Sequence, residues 1–182
     1  MRMILAATLS IAAFVLSPAP TRAAGSDDSE PPTPTETTTQ CEEGTVWDEK
    51  TEACIKPEDS SLNDDQRFGA VRELAYAGRH DEALAILATM TEGETSRVMT
   101  YRGFLLRQTG RIEEGIAAYE RAIAMDPANI LARSYYGQLL VQMDEMQMAE
   151  AQLDAIRGAG GRGTWAETAL AQAITSGVTT TY

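Results

Sequence analysis

Beyond residue 63 the apolar positions recur at intervals of three and four. Phe68, Val71, Leu74 and Ala75 form the first such stripe, the pattern of a helix that buries one face. Ser61 can cap this helix, and Asp64 and Asp65 suit the dipole of its first turn. Gly78 ends it. AGRHDEAL opens a second helix, with Asp81 and Glu82 at its start and Leu84, Leu87 and Ala88 on its buried face. A longer pair follows over Ser96 to Met125, with Gly110 at its turn and Pro127 after it. Ile130 to Met143 and Glu145 to Arg157 repeat the pattern, with Asp144 where the turn glycine stood. Gly158, Gly160, Gly161 and Gly163 then break the chain. Thr164 can cap a last helix, TWAETALAQAI, with Glu167 completing a capping box. Trp165, Leu170 and Ile174 share one side of it; Trp165 reads either as packing under a cap or as a ligand-stacking ring. The expected fold class is all-α.

The first third of the chain has a different texture. Residues 1–24 read as a secretory signal peptide: Arg2, then an apolar run from Ile4 to Leu16 broken only by Thr8 and Ser10, then Pro18, Pro20, Ala23 and Ala24. The run is short for a permanent membrane span, so no membrane insertion is expected after cleavage. Residues 25–40, rich in Pro and Thr, have no apolar core residue and read as a disordered linker. Cys41 and Cys54 are the only cysteines in the chain. An even count in a secreted protein implies a disulfide, which in the entropic account contributes about 3 kcal/mol for a loop of this length. Val46 and Trp47 favour a strand, so residues 41–56 are expected to form a small stapled hairpin ahead of the helices.

Two resemblances rest on these residues. Gly103, Gly110, Gly115, Tyr119, Ala122 and Pro127 are spaced as in a tetratricopeptide repeat, a helix–turn–helix unit of 34 residues. Gly137 and Ala149 stand 34 residues after Gly103 and Gly115, while Gly78 and Ala83 stand 32 before Gly110 and Gly115. The resemblance implies an α-solenoid over residues 62–177, with repeats at about 64–95, 96–129 and 130–158 and a capping helix at 164–176. It implies a concave groove lined by the first helix of each pair, holding another protein or an extended peptide. The groove positions carry over to Phe68, Arg72, Ala75 and Tyr76; to Arg97, Thr100, Phe104, Arg107 and Gln108; and to Leu131, Ser134, Gln138, Val141 and Gln142. Lys and Asn, which clamp a terminal carboxylate in some such domains, occupy none of them. The hairpin pattern C-x2-G-x-V-W-D-x5-C resembles one arm of a peritrophin-type chitin-binding module, which implies Trp47 as a sugar-stacking ring. Such modules carry several more cysteines. The alternative is that Trp47 packs on the disulfide and the first helix.

Charge narrows the partners. The chain has 27 acidic against 15 basic residues, which argues against nucleic acid. Every basic residue from Asp64 onward is Arg, whose planar fork suits carboxylates; Arg72, Arg97 and Arg107 could read acidic groups on a peptide. No catalytic constellation, cofactor motif or metal site is expected. His80 is the only histidine and has no second ligand spaced to join it. GAGGRGT lacks the Gly-Lys-Ser/Thr ending of a phosphate loop. The sequence therefore points to a non-catalytic adaptor, secreted across the inner membrane into the periplasm or beyond. A cell-envelope polysaccharide-associated protein using the Cys41–Cys54 hairpin is the alternative.

Overall fold

The computed structural model describes residues 34–179; the expected signal peptide and residues 25–33 of the expected linker lie outside them. Among the described residues a short helical turn α1 (Glu36–Thr39) and a hairpin of β1 (Val46–Asp48) and β2 (Ala53–Ile55) precede seven helices. These are α2 (Asp64–Tyr76), α3 (His80–Leu87), α4 (Ser96–Gln108), α5 (Ile112–Met125), α6 (Ile130–Gln142), α7 (Met146–Gly158) and α8 (Trp165–Ser176).

The helices form three hairpins and a cap. Each tight turn is closed by a residue in the left-handed conformation: Gly78 at φ 76°, Gly110 at 80° and Asp144 at 63°. In all three the next amide reaches back to the helix, as Arg79 N does to Leu74 O (2.9 Å), Arg111 N to Leu106 O (2.8 Å) and Glu145 N to Leu140 O (2.9 Å). This bond satisfies carbonyls that a helix end would otherwise leave bare. Asp tolerates this backbone better than most side chains, so the third turn keeps its shape without glycine. The first helix of each pair and α8 are capped by side chains, those of Asn63, Thr95, Asn129 and Thr164. The second helices begin without such caps.

Small residues set the spacing within and between pairs. A Cβ on Gly103 of α4 would meet the Tyr119 ring of α5 at 2.6 Å, and one on Gly137 of α6 would meet Leu170 of α8 at 2.5 Å. The first helices and α8 lie side by side through a ladder of rings. Phe68 of α2 stands 5.1 Å from Tyr101 of α4, Tyr101 stands 6.4 Å from Tyr135 of α6, and Tyr135 stands 5.9 Å from Trp165 of α8. Trp165 therefore packs under the cap. Polar ties lock successive pairs as well: Asn129 Nδ2 donates to Ser96 Oγ (2.8 Å) and Thr100 Oγ1 (3.1 Å), and Ser96 Oγ donates to the Ala122 carbonyl (2.9 Å).

Two helix starts differ from expectation. The cap of α2 is Asn63, not Ser61: Asn63 Oδ1 accepts from Gln66 N and Gln66 Oε1 accepts from Asn63 N. A competent cap two residues nearer the stripe, with Gln three residues on, wins. At α8 the capping box is half made. Thr164 accepts from Glu167 N, but the Glu167 carboxylate turns to Gly163 N (2.7 Å) and Arg157 Nε (2.7 Å), tying the cap to α7.

The N-terminal unit differs more. The hairpin forms as expected, with Trp47 opposite Cys54 and the Cys41–Cys54 bridge spanning Cα atoms 5.5 Å apart. It is not separate from the helices, for Val46 is buried in the main core. Residues 34–40, expected to be disordered, fold against α2. Glu73, 4% exposed, accepts from Thr35 N (2.9 Å), Thr35 Oγ1 (2.7 Å), Thr38 N (3.1 Å) and Thr38 Oγ1 (2.5 Å). A buried carboxylate is costly unless bonded, and this strap supplies its donors. Thr37 Oγ1 accepts from Trp47 N (3.1 Å), joining strap to hairpin.

Candidate functional site

The expected groove residues separate into three sets. Phe68, Phe104 and Gln138 are buried packing residues, as are Ala75, Thr100, Leu131, Ser134 and Val141. Phe104 is 0% exposed and lies among Tyr135 (5.0 Å between ring centres), His80 (6.1 Å) and Tyr101 (6.4 Å). The ring ladder draws the first helices together, and positions facing a neighbouring first helix close over. In the folded chain these side chains are therefore buried, not exposed on an open groove.

Two arginines are engaged within the protein. Arg97 pairs with Glu92 (2.8 Å) and Asp65 (2.8 Å) and stands 4.8 Å over the Phe68 ring; these carboxylates, Glu92 first, hold its pKa above the usual arginine range. Arg107 is 5% exposed; its Nε donates to Gln142 Oε1 (2.9 Å) and its Nη1 reaches the Tyr135 carbonyl at 3.5 Å. Burial pushes its pKa down, partly offset by the neighbouring Tyr119 phenol. Among the described residues Gln108 Nε2 has no hydrogen-bond partner, while the Arg107 guanidinium and the Tyr119 phenol lie against each other. Burial likewise raises the Tyr119 pKa, against the pull of Arg107.

The third set is accessible. Tyr76, Gln108 and Gln142 are the last residues of α2, α4 and α6. Tyr76 is 46% exposed, Gln142 is exposed and Gln108 is half-buried. They occupy equivalent positions in three side-by-side helices and so form a row along one edge of the face. Arg72, one turn before Tyr76, is half-buried and donates through Nε to Tyr101 Oη (3.2 Å).

Outside this face, Trp47 walls a shallow cleft of about 300 Å³ between β1 and α2, with Thr35, Glu49, Gln66 and Arg72 around it and Gly69 in its floor. His80 is half-buried and its pKa is pushed down by burial. Among the described residues no group of three His, Cys, Asp or Glu side chains could hold a metal ion. The anchor at Glu73 was not foreseen. Its one local signal is an acidic residue set between Val71 and Leu74, inside an apolar stripe.

No curated protein and no solved structure matches the chain. Residues 106–173, from the end of α4 into α8, match the family model described as tetratricopeptide repeat, and the fold is accordingly a tetratricopeptide-repeat α-solenoid of three helix pairs and a capping helix.

Proposed function

We propose that the protein is a non-catalytic scaffold that holds an extended segment of another protein along the face of its first helices. Stacked repeats of this kind present extended surfaces for partners. The observation that carries the reading is the set of Tyr76, Gln108 and Gln142, equivalent positions at the ends of the three first helices, exposed at Tyr76 and Gln142 and half-buried at Gln108. An aromatic at one end and amides after it suit a peptide backbone and its side chains, with Tyr76 as the anchor. Arg72 beside Tyr76 suits an acidic group on that segment. We further propose that the protein works in the periplasm or outside the cell, on the signal-like order of Arg2, Ile4–Leu16, Pro18, Pro20 and Ala23–Ala24. A disulfide is at home in such a compartment. Among the described residues no helix is long and apolar enough to cross a membrane.

Crosslinking in the native compartment followed by capture of the full chain tests this. A partner recovered with the wild type and lost with Tyr76→Ala and Gln108→Ala combined, at unchanged melting temperature, is expected. Equal recovery with both proteins would remove the face from the binding site.

A further inference from the structure

The cleft beside Trp47 has two features that packing within the chain does not explain. The first is Gly69, in the middle of α2. It is in helical conformation, and a Cβ there would meet nothing within 4 Å. Neither a turn nor a close approach among the described residues requires glycine, which weakens a helix interior relative to alanine. Its effect is to keep the floor of the cleft low between Gln66 and Glu73, which share its helix face. The second is the Trp47 ring. It is half-buried, and among the described residues neither another ring nor a cation stacks on it.

The polar groups around the ring decide which ligand suits it. Most are engaged within the protein. The Glu73 carboxylate holds Thr35 and Thr38. Thr37 Oγ1 accepts from Trp47 N, Gln66 Oε1 completes the cap of α2, and Arg72 Nε donates to Tyr101 Oη (3.2 Å). Glu49 is exposed and makes no hydrogen bond or ion pair among the described residues. A sugar needs several converging donors and acceptors for its hydroxyls, and one carboxylate does not supply them. A cation needs what is present: an indole face, the best of the aromatic partners, and a carboxylate at the rim. The surroundings agree in sign. Arg72 at the rim is outweighed by Glu49 and Glu73. Residues 34–63 carry eight acidic residues against Lys50 and Lys56, so the field over this unit draws positive charge. The volume, about 300 Å³, is at the small end for ligand clefts and suits one long side chain.

We propose that the cleft seats the guanidinium of an arginine on another protein, its plane on the Trp47 indole, its edge on the Glu49 carboxylate and its stem across Gly69. A planar guanidinium meets ring and carboxylate together, which the compact ammonium of lysine does not. This seat is separate from Tyr76, Gln108 and Gln142 and does not rest on the function proposed for them.

The test is a titration of the isotope-labelled full chain with an acetylated, amidated Gly-Arg-Gly peptide, followed by NMR. Saturable shifts are expected at the Trp47 indole N–H and the Gly69 amide, while the Trp165 indole stays unmoved. The same peptide with citrulline for arginine, alike in shape but uncharged, should bind several-fold more weakly. Glu49→Gln should weaken the arginine peptide several-fold at an unchanged melting temperature. Gly69→Gln should abolish the shift at the Trp47 indole while the melting temperature holds or rises, because glycine has left a helix interior. Glu49→Gln, at an exposed position, tests the charge whatever Gly69→Gln does to the fold. No saturable shift with the arginine peptide, equal binding of the citrulline peptide, or unchanged binding to Glu49→Gln would each overturn the proposal. Tighter binding of a neutral N-acetylglucosamine oligomer at the same two residues would overturn it too, and give the cleft to a glycan.

Discussion

Gly103 and Tyr119 stand face to face across the α4–α5 contact with no room for another atom. A Cβ at Gly103 would lie 2.6 Å from Tyr119 Cδ1 and 2.7 Å from Cε1. The Tyr119 ring is 0% exposed and stacks on Tyr136 of α6 at 5.9 Å, so it cannot swing aside without disturbing the next repeat. Gly103→Leu should therefore cost at least the roughly 1–3 kcal/mol typical of overpacking. Each repeat touches only its neighbours, so distant pairs do not absorb the strain. A urea melt checks this: the midpoint should fall clearly, and an unchanged midpoint and slope would mean the two helices do not meet at Gly103.

Phe104 is a core residue, and its truncation should show in stability before anything else. Phe104→Ala opens a cavity among Tyr135, Tyr101 and His80. Removing a buried phenylalanine costs about 3–5 kcal/mol. The fraction that stays folded should bind a partner as the wild type does. A mutant with an unchanged melt and weakened binding would return Phe104 to the binding face.

What could be read from the sequence was what local sterics dictate. The spacing of Gly103, Gly110, Gly115 and Pro127 carries helix ends and close approaches, and those fall where expected. The even cysteine count carries the bridge. The burial of Phe104 and Gln138 was not legible, because it depends on how closely neighbouring first helices pack, and Tyr101 and Tyr135 set that distance from outside each local window. The order of residues 34–40 was not legible either. Nothing in a Thr-rich tract announces that a buried carboxylate 35 to 38 residues later needs its donors. Ser61 and Asn63 are both good caps in sequence. Gln66, three residues beyond Asn63, decides between them.

Acid should loosen the first repeat at Asp64. Its carboxylate accepts from Thr91 N (3.0 Å), Thr91 Oγ1 (2.9 Å), Glu92 N (2.5 Å) and Arg67 Nη1 (3.0 Å). Burial raises its pKa, the bonds from Thr91, Glu92 and Arg67 lower it, and the net is a value below the ordinary one. Because the folded value is the lower, the stabilisation is full above about pH 4, the unfolded value, and drains away as pH falls through the folded one. Asp64→Asn should cost about 1–3 kcal/mol at neutral pH by leaving amide donors poorly matched. Urea midpoints of wild type and mutant should draw together as pH is lowered toward about 3. A gap that stays constant with pH would assign the loss to packing and not to the charge.

The bridge between Cys41 and Cys54 should matter to the first helix pair more than to the rest of the array. Its hairpin has strands of three residues, too little to stand alone in water. Yet this unit meets α2 and α3 at several points. Gly44 N donates to Glu82 Oε2 (3.3 Å), Arg79 Nη1 reaches the Thr37 carbonyl (3.4 Å), and Arg67 donates to the carbonyls of Pro57 (2.7 Å) and Asp59 (3.0 Å). Replacing both cysteines by serine removes about 3 kcal/mol of constraint on the unfolded chain and frees Val46 to leave the core. The helices of α4 to α8 hold one another through Gly103–Tyr119, Gly137–Leu170 and the Asn129 bonds, none of which involves the hairpin. The double mutant should thus keep most of its helical circular dichroism at room temperature and melt earlier. Amide exchange should quicken in α2 and α3 and stay slow in α5 and α6. Glu73→Gln, which weakens the strap without touching the bridge, should quicken the same two helices. Loss of most helicity in the cysteine mutant at room temperature would make the hairpin a requirement for the whole array. Unchanged exchange in α2 with both mutants would show that neither strap nor bridge steadies that helix.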